Sequence, residues 1–193
     1  MVIAHHIVLT GYGHWLPNDP RGSMSLKTYA PELAALAETH FGRREHQPSL
    51  AELKAFYRKA APVLAHPILW FNRPHRAALV DAMREAVRRE RLTCYACAVL
   101  SNHVHVLVRR HRLEGREILV SLKDELHRAI RDANLAPPGH PVFSEDSCVV
   151  FKNDPRAIRT CVQYINDNVP KHGQARVLYD FVQPYDGWPH REG

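Results

Sequence analysis

The chain has 193 residues, 45% of them hydrophobic, with 26 Lys+Arg against 20 Asp+Glu and a formal net charge of +6. This length and apolar share fit one domain with its own core better than two, and the modest basic excess suits a polyanionic partner such as nucleic acid without demanding one. No apolar run approaches the ~20 residues of a membrane helix, and the opening "MVIAHHIVLTGYG" lacks the basic lead of a signal peptide, so the expectation is a cytoplasmic protein with no membrane association.

In chain order, "IAHHIVLTGYG" (3–13) reads as a strand running into a glycine-punctuated turn. Residues 14–72, interrupted by Pro17, Pro20, Pro31 and Pro48, read as an insertion with short helices near 31–39 and 49–60. "RPHRAALVDAMREAVRRERL" (73–92) has a helical period with Ala77, Val80, Met83, Ala86 and Val87 on one face. Two strands at about 93–100 and 103–109, joined by little more than "SN", predict a hairpin. Within it, Cys94 and Cys97 are three apart, which places them on opposite faces of a regular strand. Buried reduced thiols are therefore expected there, not a shared metal.

A helix at about 114–133 repeats Ile118, Leu122, Leu126 and Ile130 at spacing four, and "APPGHP" stops it. A short strand follows near 148–152. Asp154 as N-cap, with Pro155 at the first position, opens a helix to about 168. The aromatic and proline-rich tail, 173–193, is expected on the surface. The order strand, helix, hairpin, helix, strand, helix predicts a single α+β domain: a ferredoxin-like antiparallel sheet with helices on one face and an extra C-terminal helix.

The chemistry centres on "SNHVHVLVRR" (101–110). Strand residues two apart share a face, so His103 and His105 converge while Val104, Val106 and Val108 turn to a core. With 14 histidines in 193 residues, one His-x-His is expected by chance and one is present, so the pair alone leaves both a metal site and coincidence open. "CVQYINDNVPKHG" stacks Tyr164 and Asn168 at i and i+4 with Asp167 close by. A catalytic phenol beside a metal and a core tyrosine in an amphipathic helix both satisfy that spacing.

"NHVHVLV" resembles the His-hydrophobe-His strand of the HUH nucleases. "YINDNVPKHG" resembles the tyrosine helix of the single-tyrosine transposases, above all the REP-associated ones, whose usual run is close to Tyr-Ile-x-x-Asn-Pro-x-Lys-x-Gly. "GYGHWLPNDPRGS" and "VVFKNDPRAIRTCVQYI" are similar to the same group. The resemblance implies Tyr164 as nucleophile, with His103, His105 and Asn168 as ligands of Mg²⁺ or Mn²⁺. The chain departs from the pattern at Asn168-Val169-Pro170, where the proline is displaced by one, so Asp167 is the fallback ligand.

A free phenol titrates near ~10, and a cation at the scissile phosphate supplies the help it needs at neutral pH. The implied activity is cutting and rejoining of single-stranded, hairpin-forming DNA through a 5′-phosphotyrosine. Imidazole ligands favour Mn²⁺ over Mg²⁺. A replication or conjugation nickase and a domesticated, non-cutting hairpin-binding protein are the rival readings. Arg109, Arg110 and Arg112 are candidate phosphate contacts, and Trp15 and Arg21 candidate contacts to unpaired bases. The family includes both monomers and helix-exchanged homodimers, and this sequence does not choose.

Overall fold

A computed structural model describes residues 1–25, 31–145 and 147–189. Parts of the expected insertion (26–30) and tail (190–193), together with residue 146, lie outside the described residues. The elements are β1 (Ala4–Thr10), α1 (Pro31–Ala34), α2 (Leu50–Ala60) with a 3-10 turn (Ala61–Val63), α3 (Arg73–Arg89), β2 (Cys94–Val99), β3 (His103–Arg109), α4 (Gly115–Asp132), β4 (Cys148–Lys152) and α5 (Pro155–Lys171). The four strands form one antiparallel sheet in the order β2-β3-β1-β4. No helix of the described residues is long and apolar enough to cross a membrane.

The expected α+β architecture is present, with two layers of helix. On one face, Ile7, Leu9, Val104, Val106 and Val108 pack with Leu79, Met83 and Ala86 of α3 and with Ile118, Leu122, Leu126 and Ile130 of α4. On the other, Ala4, Ala96, Ala98 and Leu107 pack with Ile158, Cys161 and Ile165 of α5. The C-terminal helix thus covers the sheet face that α3 and α4 leave open. Burying both faces explains why β2 is apolar throughout and does not alternate.

Several local expectations shift. α1 ends at Ala34 because the following chain is drawn into pairing with Ser23, whose N–H bonds the His40 carbonyl and whose carbonyl accepts from Gly42 N–H. Gly22 makes that approach feasible: its φ is +91°, and a Cβ there would sit 1.9 Å from the Gly42 oxygen. The inward face of α3 is rotated from the expected one, with His75 and Leu79 buried and Ala77 exposed. The two ring nitrogens of His75 lie 2.6 Å from Asn72 Oδ1 and 2.8 Å from the Leu135 carbonyl oxygen, and its single N–H can satisfy one of them.

The Cys94–Cys97 expectation is corrected in part. Both thiols are free and buried, but a register shift between Cys94 and Ala96 breaks the alternation and delivers both to the α3/α4 face. Burial pushes the Cys94 thiol up to about 12.

The tail does more than lie on the surface. Val182 bridges Cys94, Gln183 N–H bonds the Cys94 carbonyl, and Phe181 is buried with the α3/α4 core, while Tyr185 and Trp188 pack with the α5 core. It therefore covers the β2 edge and touches both layers. Phe181→Ala removes a buried ring from this seam and is expected to cost about 3 kcal/mol of stability. Urea denaturation measures the loss, and limited proteolysis should show early cleavage between 173 and 189; unchanged values in both would place the tail outside the cooperative fold.

Candidate active site

The site follows from the alternation of β3. Because Val104, Val106 and Val108 belong to the α3/α4 core, His103 and His105 must face α5. β1 runs antiparallel beside it, with Val8 opposite His105 and His6 opposite Leu107, so His6 lies diagonal to His105 on the same face. α5 starts where Asp154 accepts from Ala157 N–H and Pro155 presets the first turn. Its buried stripe, Ile158, Cys161 and Ile165, leaves Tyr164 at the margin of the packed surface, 49% exposed. The ring of Tyr164 stands edge-on to His105, 5.5 Å between centroids, and to His6 at 6.1 Å.

Both predicted histidines are almost fully buried, and their Nε2 atoms are 2.9 Å apart. His103 Nδ1 is 2.7 Å from Asn102 Oδ1, and His105 Nδ1 is 3.0 Å from His6 Nε2. The Asn102 carbonyl is held by Gly11 N–H at 2.8 Å, and a Cβ on Gly11 would lie 3.0 Å from that oxygen and 3.1 Å from the Phe71 ring. Glycine is what lets the first loop back this close to the histidine turn.

Two donors each ~2.1 Å from one octahedral ion lie ~3 Å apart, so the His103 and His105 Nε2 pair fits Mg²⁺ or Mn²⁺. The expected third ligand is less well placed. Asn168 turns its amide nitrogen to the Tyr164 carbonyl at 2.8 Å, a bond within its own helix. Asp167, the fallback, is 2.6 Å from an Arg176 nitrogen and 2.8 Å from the Gln163 amide. Among the described residues no three His, Cys, Asp or Glu side chains are disposed to hold a metal ion. The chain thus offers two converging imidazoles.

Trp15 joins the site. Its φ of +46° is unusual for a bulky residue. The ring meets His103 edge-on at 5.1 Å and lies 4.1 Å from the Arg21 guanidinium. Arg21 is committed to the buried Asp19 carboxylate at 2.7 and 2.9 Å, and Tyr57 hydroxyl donates to the same carboxylate. Arg21 therefore packs over the Trp15 ring while bound to Asp19. Arg109, Arg110 and Arg112 are not brought to the histidines. Arg109 ends β3, six residues and roughly 20 Å along the strand from His103, where it faces Trp188 and Asp186, and Arg110 and Arg112 follow it.

Three neighbours escaped the sequence reading: His6, Asn102 and His172. His172 caps α5, with its ring 5.2 Å from His103 and its Nδ1 3.3 Å from Ser101 Oγ. It extends the Tyr164–Asn168 spacing by a further four residues, the one signal that pointed to it. His6 needed the pairing of β1 with β3.

Burial holds the imidazoles neutral. It lowers His103 to about 3 and His105 to about 2, with neighbouring imidazoles adding to the effect, and lowers His6 to about 4 with help from Lys152. Neutral imidazoles have lone pairs to give a cation.

The chain matches no family profile, and no curated protein matches it. Among solved structures it is similar to a REP-associated tyrosine transposase bound to a REP hairpin, at 13% identity and TM-score 0.48 over 89% of this chain and 69% of that one. It is also similar to a proposed transposase from Deinococcus radiodurans R1, at 14% identity and TM-score 0.45 over 86% of this chain and 91% of that one. At these values neither assigns a role to any residue here.

The unfolded chain takes up protons at its histidines near 6.5, whereas folded His6 and His14 resist until about 4 and His103 until about 3. Stability from these groups is full above 6.5 and is lost as pH falls toward 4. Urea midpoints should therefore drop steeply between pH 7 and pH 5, and the drop should shrink in His14→Gln; a flat profile would mean that the imidazoles are not buried neutral.

Proposed function

We propose that the protein is a metal-dependent tyrosine transposase or endonuclease that cuts and rejoins single-stranded, hairpin-forming DNA. The observation that carries this reading is the half-exposed phenol of Tyr164 standing against His105, whose Nε2 faces that of His103 at 2.9 Å. Phosphoryl transfer needs a nucleophile and a place for charge within one small volume, and these three side chains are the right chemical types for both. The motif resemblance of "NHVHVLV" and "YINDNVPKHG" supports the same class.

His103 and His105 would hold Mg²⁺ or Mn²⁺ through Nε2. When bound, such an ion supplies Lewis-acid stabilisation of the charge that develops on the scissile phosphate. Tyr164 Oη attacks phosphorus and gives up its proton; the P–O3′ bond breaks, and the leaving 3′-oxygen takes a proton. The DNA is left esterified to Tyr164 through its 5′-phosphate. A 3′-hydroxyl of a second strand reverses the sequence: it forms a new P–O3′ bond, breaks the P–Oη bond, and returns a proton to the phenol. Each step exchanges one phosphodiester for another, so no nucleotide is consumed.

Trp15 presents a ring beside His103 on which an unpaired base can stack, and Arg21 steadies it by a cation–π contact. Arg109, Arg110 and Arg112 would meet DNA only well away from the reacting phosphate.

Incubation of end-labelled hairpin DNA with the protein and Mn²⁺ should give a complex that survives denaturation. Tyr164→Phe should abolish it while leaving hairpin affinity intact; an adduct persisting in that variant would remove Tyr164 from its role. Binding without any adduct in the unaltered protein would make it a non-cutting hairpin-binding protein. Separately, Trp15→Ala is expected to weaken single-strand binding by about 1–3 kcal/mol in a fluorescence anisotropy titration, with Trp15→Phe largely restoring it.

A further inference from the structure

We propose that His6 is a positioning residue of the cation site: it orients His105 and sets which of its nitrogens carries the proton. The inference rests on the proposed metal role of His103 and His105 and goes beyond it, since neither that role nor the motifs involve β1.

Three imidazoles, those of His103, His105 and His6, stand in a row. Asn102 Oδ1 only accepts, so the proton of His103 sits on Nδ1 and its Nε2 is bare. Across the 2.9 Å gap the bond is then donated by His105 Nε2–H, which leaves His105 Nδ1 bare to accept from His6 Nε2–H at 3.0 Å. The row is satisfied with three neutral rings. A cation between the two Nε2 atoms needs both bare. His105 must then carry its proton on Nδ1, donating to His6 Nε2, and His6 must carry its own on Nδ1.

Both arrangements use the same 3.0 Å contact with its direction reversed. Each ring keeps one proton, so no charge is created or lost. Only a side chain able to donate in one state and accept in the other can serve at position 6, and imidazole has both capacities in one ring. His6 is built for this place. It is 7% exposed, its ring lies 5.1 Å from that of His105 at 33°, and it meets Tyr164 edge-on. It therefore touches both a proposed ligand and the proposed nucleophile. Outer partners of ligating histidines fix ring orientation and raise ligand basicity, and their loss typically costs 10–100-fold in metal affinity.

The test is Mn²⁺ binding by calorimetry with the full chain, without DNA. His6→Phe keeps an aromatic ring and removes both nitrogens; its affinity should fall roughly 10–100-fold. His6→Gln, whose amide oxygen can accept from His105 Nδ1–H, should recover most of it. His6→Phe binding Mn²⁺ as tightly as the unaltered chain would overturn the inference alone; an unaltered chain that binds no Mn²⁺ would overturn the metal reading as well. Should His6→Phe fail to fold, ¹⁵N-imidazole NMR of the unaltered chain with Zn²⁺ as a diamagnetic probe decides. The His6 proton should move from Nε2 to Nδ1 on titration, and a tautomer that stays on Nε2 would overturn the inference.

Discussion

The arrangement depends on one constraint, the strict alternation of side chains along β3. Val104, Val106 and Val108 are drawn into the core under α3 and α4 because each buries a branched apolar side chain. That demand leaves His103 and His105 no choice of face. A one-residue slip would take three valines out of the α3/α4 core and drive two imidazoles into hydrocarbon, so the register is held by the core, not by the site. The imidazole pair inherits its geometry from packing it takes no part in.

Much of this was legible in the sequence. The valine–histidine alternation, the spacing of Ile118, Leu122, Leu126 and Ile130, and the Asp154–Pro155 start of α5 are local patterns, and local patterns survive folding when their neighbours agree with them. What was not legible depended on pairing between distant segments. The bulge that turns Cys94 and Cys97 to one side is set against β3. The placement of His6 needs the β1–β3 register, and Asn102 matters only because a ring nitrogen sits beside it. Arg109, at the end of β3, and Arg110 and Arg112 beyond it are close to the histidines in sequence only. Strand rise carries them away from His103 as surely as it carries the chain forward.

The head of the chain shows how a polar cluster can stiffen an irregular segment. Asp19 is fully buried, and it is tolerated there because Arg21 and Tyr57 satisfy it from two sides. The same guanidinium lies against Trp15, so the charge that balances the carboxylate also seats the aromatic ring near His103. Arg21 contributes to the site through the ring it supports.

The segment after α5 crosses from one layer to the other, with Tyr179 and Phe181 on the α3/α4 side and Tyr185 and Trp188 on the α5 side. A helix tied in this way cannot breathe away from the sheet without lifting aromatic anchors on both flanks. The separation between the Tyr164 ring and the imidazoles of His105 and His6 is therefore governed partly by side chains that touch none of them. Sequence drift at those anchors would retune the spacing of Tyr164 from His105 and His6 while leaving all three side chains chemically unchanged.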